Sequence, residues 1–289
     1  MKIGLHLSSF DPANGDLRSA VKDVAQYIDD NGFYSFSPMD HFFQIGVVGQ
    51  PEENMLEGYS VLNYVAAITQ KLKLLTLVTG VVYRHPGILI KSVTTLDVLS
   101  GGRAYLGIGA AWNEFEARGL GIPFPPLVER FERLEETLQI AQQMWSGEVR
   151  PYPGKYYPLA QPINNPLPVS QPHPPILIGG GGEKKTLRMV AQYADACNLF
   201  AFQDMASLQH KLDVLKQHCD DVGRDFKEIE LTLTGRADLR SQSSKDIIDQ
   251  CERLSKLGFT HMMVIVPNVY EMRPLETLAK EVIPAVAAF

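Results

Sequence analysis

The chain has 289 residues, enough to bury a large core, and α/β barrels of this length are common, so we expect one domain over residues 1–289. Its formal charge of −6, from 27 basic and 33 acidic residues, argues against a nucleic-acid partner, which would favour a basic face. Three cysteines without metal or redox spacing, and the absence of a signal peptide or a membrane-length apolar run, predict a cytoplasmic protein without membrane contact.

Strand-like and helix-like segments alternate along the chain. Short runs that are apolar throughout predict strands buried on both faces, and apolar residues three and four apart predict helices. The predicted strands are 3–7, 33–36, 72–79, 104–109, 176–178, 195–199, 229–234 and 261–266. The predicted helices are 17–31, 59–69, 87–99, 127–145, 183–193, 205–221, 245–257 and 275–286. Eight such units, with no dinucleotide fingerprint, predict a (β/α)8 TIM barrel rather than a doubly wound sheet.

One insertion, residues 147–174, interrupts this alternation before the fifth strand. It holds eight of the 19 prolines and the tyrosines Tyr152, Tyr156 and Tyr157. Because it follows a helix and precedes a strand, it begins at the amino-terminal face of a barrel, and we expect a bottom cover rather than a lid. The loops 42–58 and 110–126 follow strands and are better lid candidates.

Functional residues of a (β/α)8 barrel lie at the carboxyl ends of its strands. The residues at these predicted ends are His6 and Ser8, Asp40 and His41, Gly80 and Val81, Gly109 to Glu114, Gly179 to Gly182, Leu199 and Phe200, Arg236, and Pro267 with Asn268. They include no Cys-His nucleophile pair and no metal-ligand spacing, so we expect neither hydrolytic nor metal chemistry.

Several residues at these strand ends could take part in binding or catalysis. His41 can exchange a proton near neutral pH, although a loop-anchoring histidine is an equal alternative. Glu114 follows a run of small residues and Trp112, which offers a flat stacking face, although Glu114 and Glu116 could simply begin a solvated helix. The glycine of Gly80-Val81 indicates either close ligand approach or an ordinary kink at the end of a strand.

Four consecutive glycines, Gly179 to Gly182, join the fifth predicted strand to its helix. Without Cβ atoms, their backbone amides can approach an anion, and the start of the helix adds its positive dipole end. The pattern predicts a phosphate site, and a tight turn is the alternative. Lys184, Lys185 and Arg188 follow directly and are either part of that site or a solvated helix face.

Five parts of the sequence together resemble the luciferase-like monooxygenase superfamily, and within it the branch that uses the deazaflavin coenzyme F420. These parts are residues 37–42, 78–86, 96–103, 107–112, and 178–183 with 193–195. The resemblance implies a (β/α)8 barrel whose carboxyl face holds a flavin or deazaflavin, with the phosphate at the loops after strands five and six.

The resemblance also implies roles for individual residues. His41 would lie beside the reacting ring, and Gly80-Val81 matches the family's non-prolyl cis peptide behind that ring. Trp112 and Glu114 would line the ring or the substrate, although Ala110 stands where the deazaflavin dehydrogenases have a glutamate. The implied catalytic residues are therefore His41 and Glu114. The implied coenzyme-binding residues are Asp40, Gly80, Val81, Gly109, Ala110, Trp112, Gly179, Gly180, Gly181, Gly182, Leu199 and Phe200.

The activity implied is hydride transfer between F420 and a small organic substrate, namely a carbonyl, an alcohol or an activated double bond. An FMN-dependent monooxygenase is the alternative, but the short stretch 234–245 leaves no room for the insertion that such enzymes carry near strand seven. A non-catalytic F420 or flavin carrier is a second alternative. A Schiff-base lyase is disfavoured because no lysine stands at a strand end. Family analogy implies a homodimer.

Overall fold

The computed structural model describes residues 1–13 and 15–289. The main sheet has nine parallel strands in the spatial order β3-β2-β1-β11-β10-β9-β8-β5-β4. Its strands are β1 Lys2–Leu7, β2 Ser35–Pro38, β3 Lys73–Leu74, β4 Thr79–Gly80, β5 Leu106–Gly109, β8 Ile176–Gly179, β9 Ala196–Phe200, β10 Glu230–Arg236 and β11 His261–Ile265. Two further strands, β6 Tyr152–Pro153 and β7 Pro158–Leu159, form a separate antiparallel hairpin.

The helices fill the connections between these strands. They are α1 Leu17–Asp30, α2 Gly58–Ile68, α3 Pro86–Ser100, α4 Glu114–Gly119, α5 Leu127–Trp145, α6 Thr186–Tyr193, α7 Met205–Val222, α8 Ser244–Ser255, α9 Arg273–Thr277 and α10 Ile283–Val286. Short 3-10 turns lie at Phe226–Glu228 and Val269–Glu271, and a π-helical turn covers Leu278–Val282.

The nine strands occupy eight positions around a closed barrel, as the sequence predicts. The strand predicted over 72–79 is divided into β3 and β4, and a bridge between Leu74 and Ala104 joins this position to the segment before β5. Since β3 pairs with β2 and β4 pairs with β5, the sheet closes on itself. The fold is therefore a (β/α)8 barrel.

Apolar side chains fill both sides of this sheet. Leu75, Leu177, Ala196 and Met263 form a buried cluster on the inner face, where neighbouring strands bring alternate residues together. The larger cluster lies between the outer face of the sheet and the helices, and it explains why the strands lack a polar face.

Two helices differ from their predicted extent. The helix predicted over 183–193 begins at Thr186, because 183–185 form a turn after the glycines. The last predicted helix, 275–286, is divided into α9, the π-helical turn and α10. Pro284 has no amide hydrogen and its ring excludes the carbonyl four residues earlier, so the regular hydrogen-bond ladder is interrupted here.

The insertion 147–174 packs along α3 and α5 and contributes no residue to the cavity described below. The Glu136 carboxylate on α5 accepts backbone amides of residues 155–157, and the buried Asp97 on α3 accepts the amides of Val169 and Ser170. The insertion is thus not a lid, as expected. It runs along α3 and α5 and also reaches the amino-terminal face of the barrel, where Val169 and Ser170 lie beside Gly102.

None of the helices in residues 1–13 and 15–289 is long and apolar enough to cross a lipid bilayer.

Candidate active site

A cavity of about 680 Å³ opens at the carboxyl ends of the barrel strands. Its lining includes His6 from β1, Thr234 from β10 and the side chains of His41, Leu77, Trp112 and Phe200, which follow or end other strands. The predicted lid loop 42–58 adds Ile45, Val47 and Val48, and the loop 110–126 adds Trp112. The cavity therefore lies where the barrel fold predicts a functional site.

His41 on the cavity wall is held by a buried carboxylate. Its Nδ1 atom lies 2.5 Å from Oε1 of Glu116, whose side chain has no solvent exposure. Because a carboxylate accepts hydrogen bonds, Nδ1 carries the hydrogen, and Nε2 is left for the cavity. Trp112 packs edge-on against the imidazole with ring centroids 5.3 Å apart. The ring is thus held in one orientation by a charge and an aromatic face.

Four donors converge on Glu116. Besides His41, the amides of Phe42 and Phe43 donate to Oε2 at 2.8 and 3.2 Å, and the Tyr83 hydroxyl donates to Oε1. Burial alone would raise the pKa of Glu116, but the hydrogen bonds from His41 and Tyr83 outweigh it, so the pKa lies below the ordinary value. Glu116 remains a carboxylate that can stabilise a protonated His41.

The position of Glu116 follows from how α4 begins. Asn113 caps this helix and its side chain accepts the Glu116 amide at 3.5 Å, which places Glu116 in the first turn. An Asn followed three residues later by Glu is a helix-start signal that places Glu116 in the first turn from the sequence, but it does not reveal the partners of its side chain. Sequence reasoning missed both Glu116 and Tyr83 as members of the site.

The structure places Glu114 differently from its implied catalytic role. Glu114 is half exposed on α4 and pairs with Arg118 at 2.6 Å, one helical turn away, and it does not line the cavity. Glu114 and Glu116 are two residues apart, and side chains at this spacing point to different sides of a helix. The carboxylate beside His41 is Glu116.

Asp40 is buried beneath His41 and does not line the cavity. Both of its carboxylate oxygens accept hydrogen bonds from Arg84, at 2.6 and 2.8 Å, and Arg84 also pairs with Glu57. The guanidinium group stacks on the Tyr59 ring, 4.7 Å from its centroid. The role of Asp40 in this structure is to anchor the end of β2 to the segment after β4.

The non-prolyl cis peptide lies between Leu77 and Val78, in the interruption between β3 and β4. The position implied by the resemblance, Gly80-Val81, is therefore wrong by three residues. Val81 is buried in the core outside the barrel, and a Cβ atom on Gly80 would lie 2.7 Å from the Tyr83 ring. Gly80 thus gives Tyr83 the space to reach Glu116, whereas Leu77 lines the cavity.

The space beside Gly109 and Gly179 is taken by protein. A Cβ atom on either glycine would lie about 3 Å from the Val78 side chain, at 3.1 and 3.0 Å respectively. Ala110 packs against the core outside the cavity. Gly109 and Gly179 leave space for Val78, and none of the three residues lines the cavity.

The loop 180–185 lies outside the cavity lining. The Lys211 ammonium on α7 donates to the Gly181 carbonyl at 2.7 Å and lies 3.8 Å from the Glu183 carboxylate. Within the described part of the chain, the backbone amides of residues 181–186 donate to no protein group. Gly180 has φ of +118°, a conformation that glycine tolerates best. The Gly180 amide donates to the Asn198 carbonyl, whereas Gly181 and Gly182 belong to a loop of unpaired amide donors beside Lys211.

Leu199 and Phe200 end β9 on opposite faces of the sheet. Leu199 is buried among the core residues outside the barrel, whereas Phe200 lines the cavity and stacks on Phe202 with centroids 5.3 Å apart. Of the residues implied from the sequence, the cavity brings together His41, Trp112 and Phe200. Among residues 1–13 and 15–289, no group of three or more His, Cys, Asp and Glu side chains is placed to hold a metal ion.

A mostly apolar cavity at the carboxyl face of a barrel, with a histidine–carboxylate pair in its wall, defines the chain as a barrel enzyme. The chain belongs to the luciferase-like monooxygenase family, whose model matches residues 1–245. It is therefore an oxidoreductase of this family.

Characterised relatives use two coenzymes. The chain is 33% identical over 243 residues to an F420-dependent glucose-6-phosphate dehydrogenase of Kineococcus radiotolerans, a match that covers 81% of this chain and 66% of that protein. It is 26% identical over 160 residues to an FMNH(2)-dependent dimethylsulfone monooxygenase of Pseudomonas putida, covering 55% of this chain and 42% of that protein.

Solved structures share the whole fold. An F420-dependent secondary alcohol dehydrogenase in complex with an F420-acetone adduct has a TM-score of 0.83 at 17% identity, covering 99% of this chain and 98% of that one. The F420-dependent tetrahydromethanopterin reductase of Methanopyrus kandleri has a TM-score of 0.80 at 19% identity, with 98% of each chain covered. At these identities the likeness concerns the fold alone.

Proposed function

We propose that the protein is an F420-dependent oxidoreductase that transfers a hydride between the coenzyme and a small organic substrate, a carbonyl, an alcohol or an activated double bond. The observation that carries this proposal is the buried His41–Glu116 pair in the cavity wall of a luciferase-like barrel. The 33% identity to an F420-dependent dehydrogenase supports the choice of coenzyme.

The residues present fit such a coenzyme in two places. The unpaired amides of 181–186 and the Lys211 ammonium would hold its phosphate, because backbone donors and a cation are what an anion requires. His41, Trp112 and Phe200 would adjoin its ring, for which the cavity has aromatic faces. When bound, the deazaflavin supplies or accepts the hydride.

His41 would exchange the proton that accompanies the hydride. Reduction of a carbonyl consumes one hydride at carbon and one proton at oxygen, and oxidation of an alcohol releases both. Since Nδ1 of His41 is bonded to Glu116, Nε2 is the atom available to the substrate oxygen. Glu116 does not itself take the proton, because its hydrogen bonds keep its pKa low. It stabilises the imidazolium and orients the ring.

The cavity walls favour a largely apolar substrate. Ile45, Val47 and Val48 line the side formed by the lid loop, and the stacked Phe200 and Phe202 lie on another side. The loop is anchored by the buried Gln44, whose side chain donates to the Ser8 carbonyl at 3.1 Å and accepts the Ile45 amide at 2.8 Å. A substrate in the cavity would therefore contact mainly apolar side chains.

An FMN-dependent monooxygenase is the second candidate function, and the identity to an FMNH(2)-dependent relative supports it. The two proposals differ in their second substrate. The F420 enzyme requires only an organic acceptor or donor, whereas the monooxygenase would consume oxygen with reduced FMN.

Competing titrations of F420 and FMN, followed by fluorescence quenching, test the coenzyme. We expect tighter binding of F420, and oxidation of reduced F420 by members of a panel of ketones and enones. The His41→Ala variant should lose most of the rate and keep its coenzyme affinity. His85→Asn, which retains an acceptor at the start of α3, is the matched control and should behave as wild type.

Tighter binding of FMN with oxygen consumption would replace the proposal by the monooxygenase. Tight F420 binding without turnover across a broad panel would instead indicate a carrier.

A further inference from the structure

The floor of the cavity carries two polar side chains that the proposed mechanism does not use. His6 on β1 and Thr234 on β10 both line the cavity and are 5% and 4% exposed. The neighbouring parts of the floor are apolar and include Leu77 and Met39. A polar group in such surroundings requires a partner, so the direction of each hydrogen bond decides what the floor can bind.

The hydrogen on His6 is committed to the protein. Its Nδ1 atom lies 2.9 Å from the Ser37 carbonyl oxygen and 3.3 Å from the Ser37 hydroxyl, which itself donates to the Leu5 carbonyl. Both Ser37 oxygens thus accept, and Nδ1 must donate. Burial lowers the pKa of His6 to about 4, and the nearby His41 acts in the same direction, so the ring is neutral at neutral pH.

A neutral imidazole with its hydrogen on Nδ1 has a lone pair on Nε2. In the described part of the chain, no group donates to this atom. His6 therefore presents an acceptor, and not a donor, to the cavity.

Thr234 also presents an acceptor to the cavity, and a chain of three hydrogen bonds fixes this direction. The Thr232 hydroxyl donates to the Cys197 carbonyl at 3.0 Å, so it must accept from the Asn198 amide nitrogen, also at 3.0 Å. The Asn198 side-chain oxygen consequently faces Thr234, whose hydroxyl donates to it at 2.8 Å. The one hydrogen of Thr234 is used inside the barrel, and a lone pair remains for a ligand.

We propose that His6 and Thr234 form an acceptor pair that selects a substrate carrying a hydroxyl group over the same carbon skeleton without one. A hydroxyl is favoured over an ammonium because Asp11 is the single carboxylate among the described lining residues, and it is solvent-exposed. His6 is in this sense a specificity-determining residue. The inference deepens the proposed oxidoreductase function and rests on it, because only that function makes the bound molecule a substrate.

The expected selectivity follows from the free-energy cost of leaving a buried acceptor without a hydrogen bond. A ligand that brings no hydrogen to this floor displaces water from these acceptors without replacing any of its hydrogen bonds, whereas a hydroxyl donates its one hydrogen to one of them. Sites built around such groups reject analogues that lack the partner far more strongly than apolar pockets reject a missing methylene. A ketone or an ether of the same shape would therefore bind worse than the alcohol.

Ligand-observed NMR binding to the protein saturated with oxidised F420 tests the pair with three probes, namely cyclohexanol, methoxycyclohexane and cyclohexanone. We expect cyclohexanol to bind at least about tenfold more tightly than either analogue, the size of one net hydrogen bond to a desolvated acceptor. Thr234→Val, which keeps the side-chain shape, should reduce this preference, and His6→Phe should abolish it. His6→Gln should restore part of it because its amide can both donate to Ser37 and accept from the ligand.

The variants also show whether the pair accepts a hydrogen bond from a substrate hydroxyl or from a ring N–H of the coenzyme. If the cyclohexanol preference remains intact in folded His6→Phe, the inference is overturned, because the hydroxyl then donates to His41 Nε2 instead. Weakened F420 binding in the same variant would show that the pair serves the coenzyme. The inference is also overturned if wild-type protein binds the three probes equally. Circular dichroism and the unfolding midpoint establish that each variant is folded, and the isosteric Thr234→Val decides the matter if His6→Phe is not.

Failure of the proposed function is recognised separately. Should the protein bind neither F420 nor FMN, the same three probes are titrated into the coenzyme-free protein. A retained preference for cyclohexanol that depends on His6 supports the acceptor pair without the oxidoreductase proposal, and equal binding of the three probes overturns it.

Discussion

Two regions at the carboxyl face of the barrel differ in how completely they are built. Around His41, the buried carboxylates have protein partners: Glu116 accepts four hydrogen bonds and Asp40 is paired with Arg84. Around the glycines, the amides of 181–186 have no partner within the described residues. The first region is organised in advance for proton exchange, and the second retains the donors that an anion would satisfy.

The largest expected effect breaks the first region. Glu116→Gln removes the charge that stabilises a protonated His41. It also places a side-chain NH2 group against the backbone amides of Phe42 and Phe43, which are themselves donors. We expect steady-state turnover with F420 to fall by roughly 10²- to 10⁴-fold, the usual contribution of a positioned acid–base group, with coenzyme affinity nearly unchanged. Glu114→Gln on the same helix is the control and should retain its rate. Equal losses in both variants would contradict the assignment of Glu116.

The second expected effect concerns the anchoring pair below His41. Arg84→Met leaves the fully buried Asp40 without its cation, which should lower the free energy of unfolding by about 3–5 kcal/mol. Arg118→Met removes a solvent-exposed pair with Glu114 and should cost about 1 kcal/mol or less. Urea denaturation of both variants measures the difference. A small loss for Arg84→Met would mean that Asp40 is readily protonated or hydrated in the fold.

The third effect sharpens the contrast by testing the glycine loop. Lys211→Met removes the cation beside Gly181 and should weaken coenzyme binding by about tenfold or more, the value of a charge-assisted hydrogen bond. Lys216→Met, on the same helix but exposed and paired with Asp220, should leave the affinity unchanged. Isothermal titration of F420 at two salt concentrations provides both comparisons. An unaltered affinity in Lys211→Met would indicate that the phosphate does not bind at this loop.

The smallest effect is the dependence of stability on pH. Because hydrogen bonds hold the folded-state pKa of Glu116 below its ordinary value, its contribution is fully present above the unfolded-state pKa of about 4 and is lost as the pH falls through the lower folded-state pKa. The free energy of unfolding of the wild type should therefore decline more steeply than that of Glu116→Gln below about pH 5. Parallel pH profiles would show that Glu116 is not stabilised as a carboxylate.

Local periodicity predicts most of the fold. The helix predicted over 127–145 and α5 coincide, and each of the eight strand positions lies where an apolar run predicts it. The deviations occur where distant contacts intervene. The strand predicted over 72–79 is continuous by its pattern, yet its middle turns inward so that Leu77 and Val78 approach the barrel interior and the glycines of β5 and β8.

The candidate site was less accessible to sequence reasoning. His41, Trp112 and Phe200 could be found because each lies at or just after a strand end, where a barrel places its functional groups. Leu199 and Phe200 are neighbours in sequence, and only the pleat of the closed sheet separates the core side chain from the cavity side chain. Glu116 was missed because its partners His41 and Tyr83 are more than 30 residues away.

The pattern of residues was sufficient for the class of fold and for placing His41 at the carboxyl ends of the strands, because both depend on the local alternation of strand and helix. Folding was required to choose Glu116 over Glu114, to give the space beside Gly109 and Gly179 to Val78, and to turn His6 and Thr234 into acceptors. Each of these depends on which atoms from remote segments meet, and on the single direction in which their hydrogens can point.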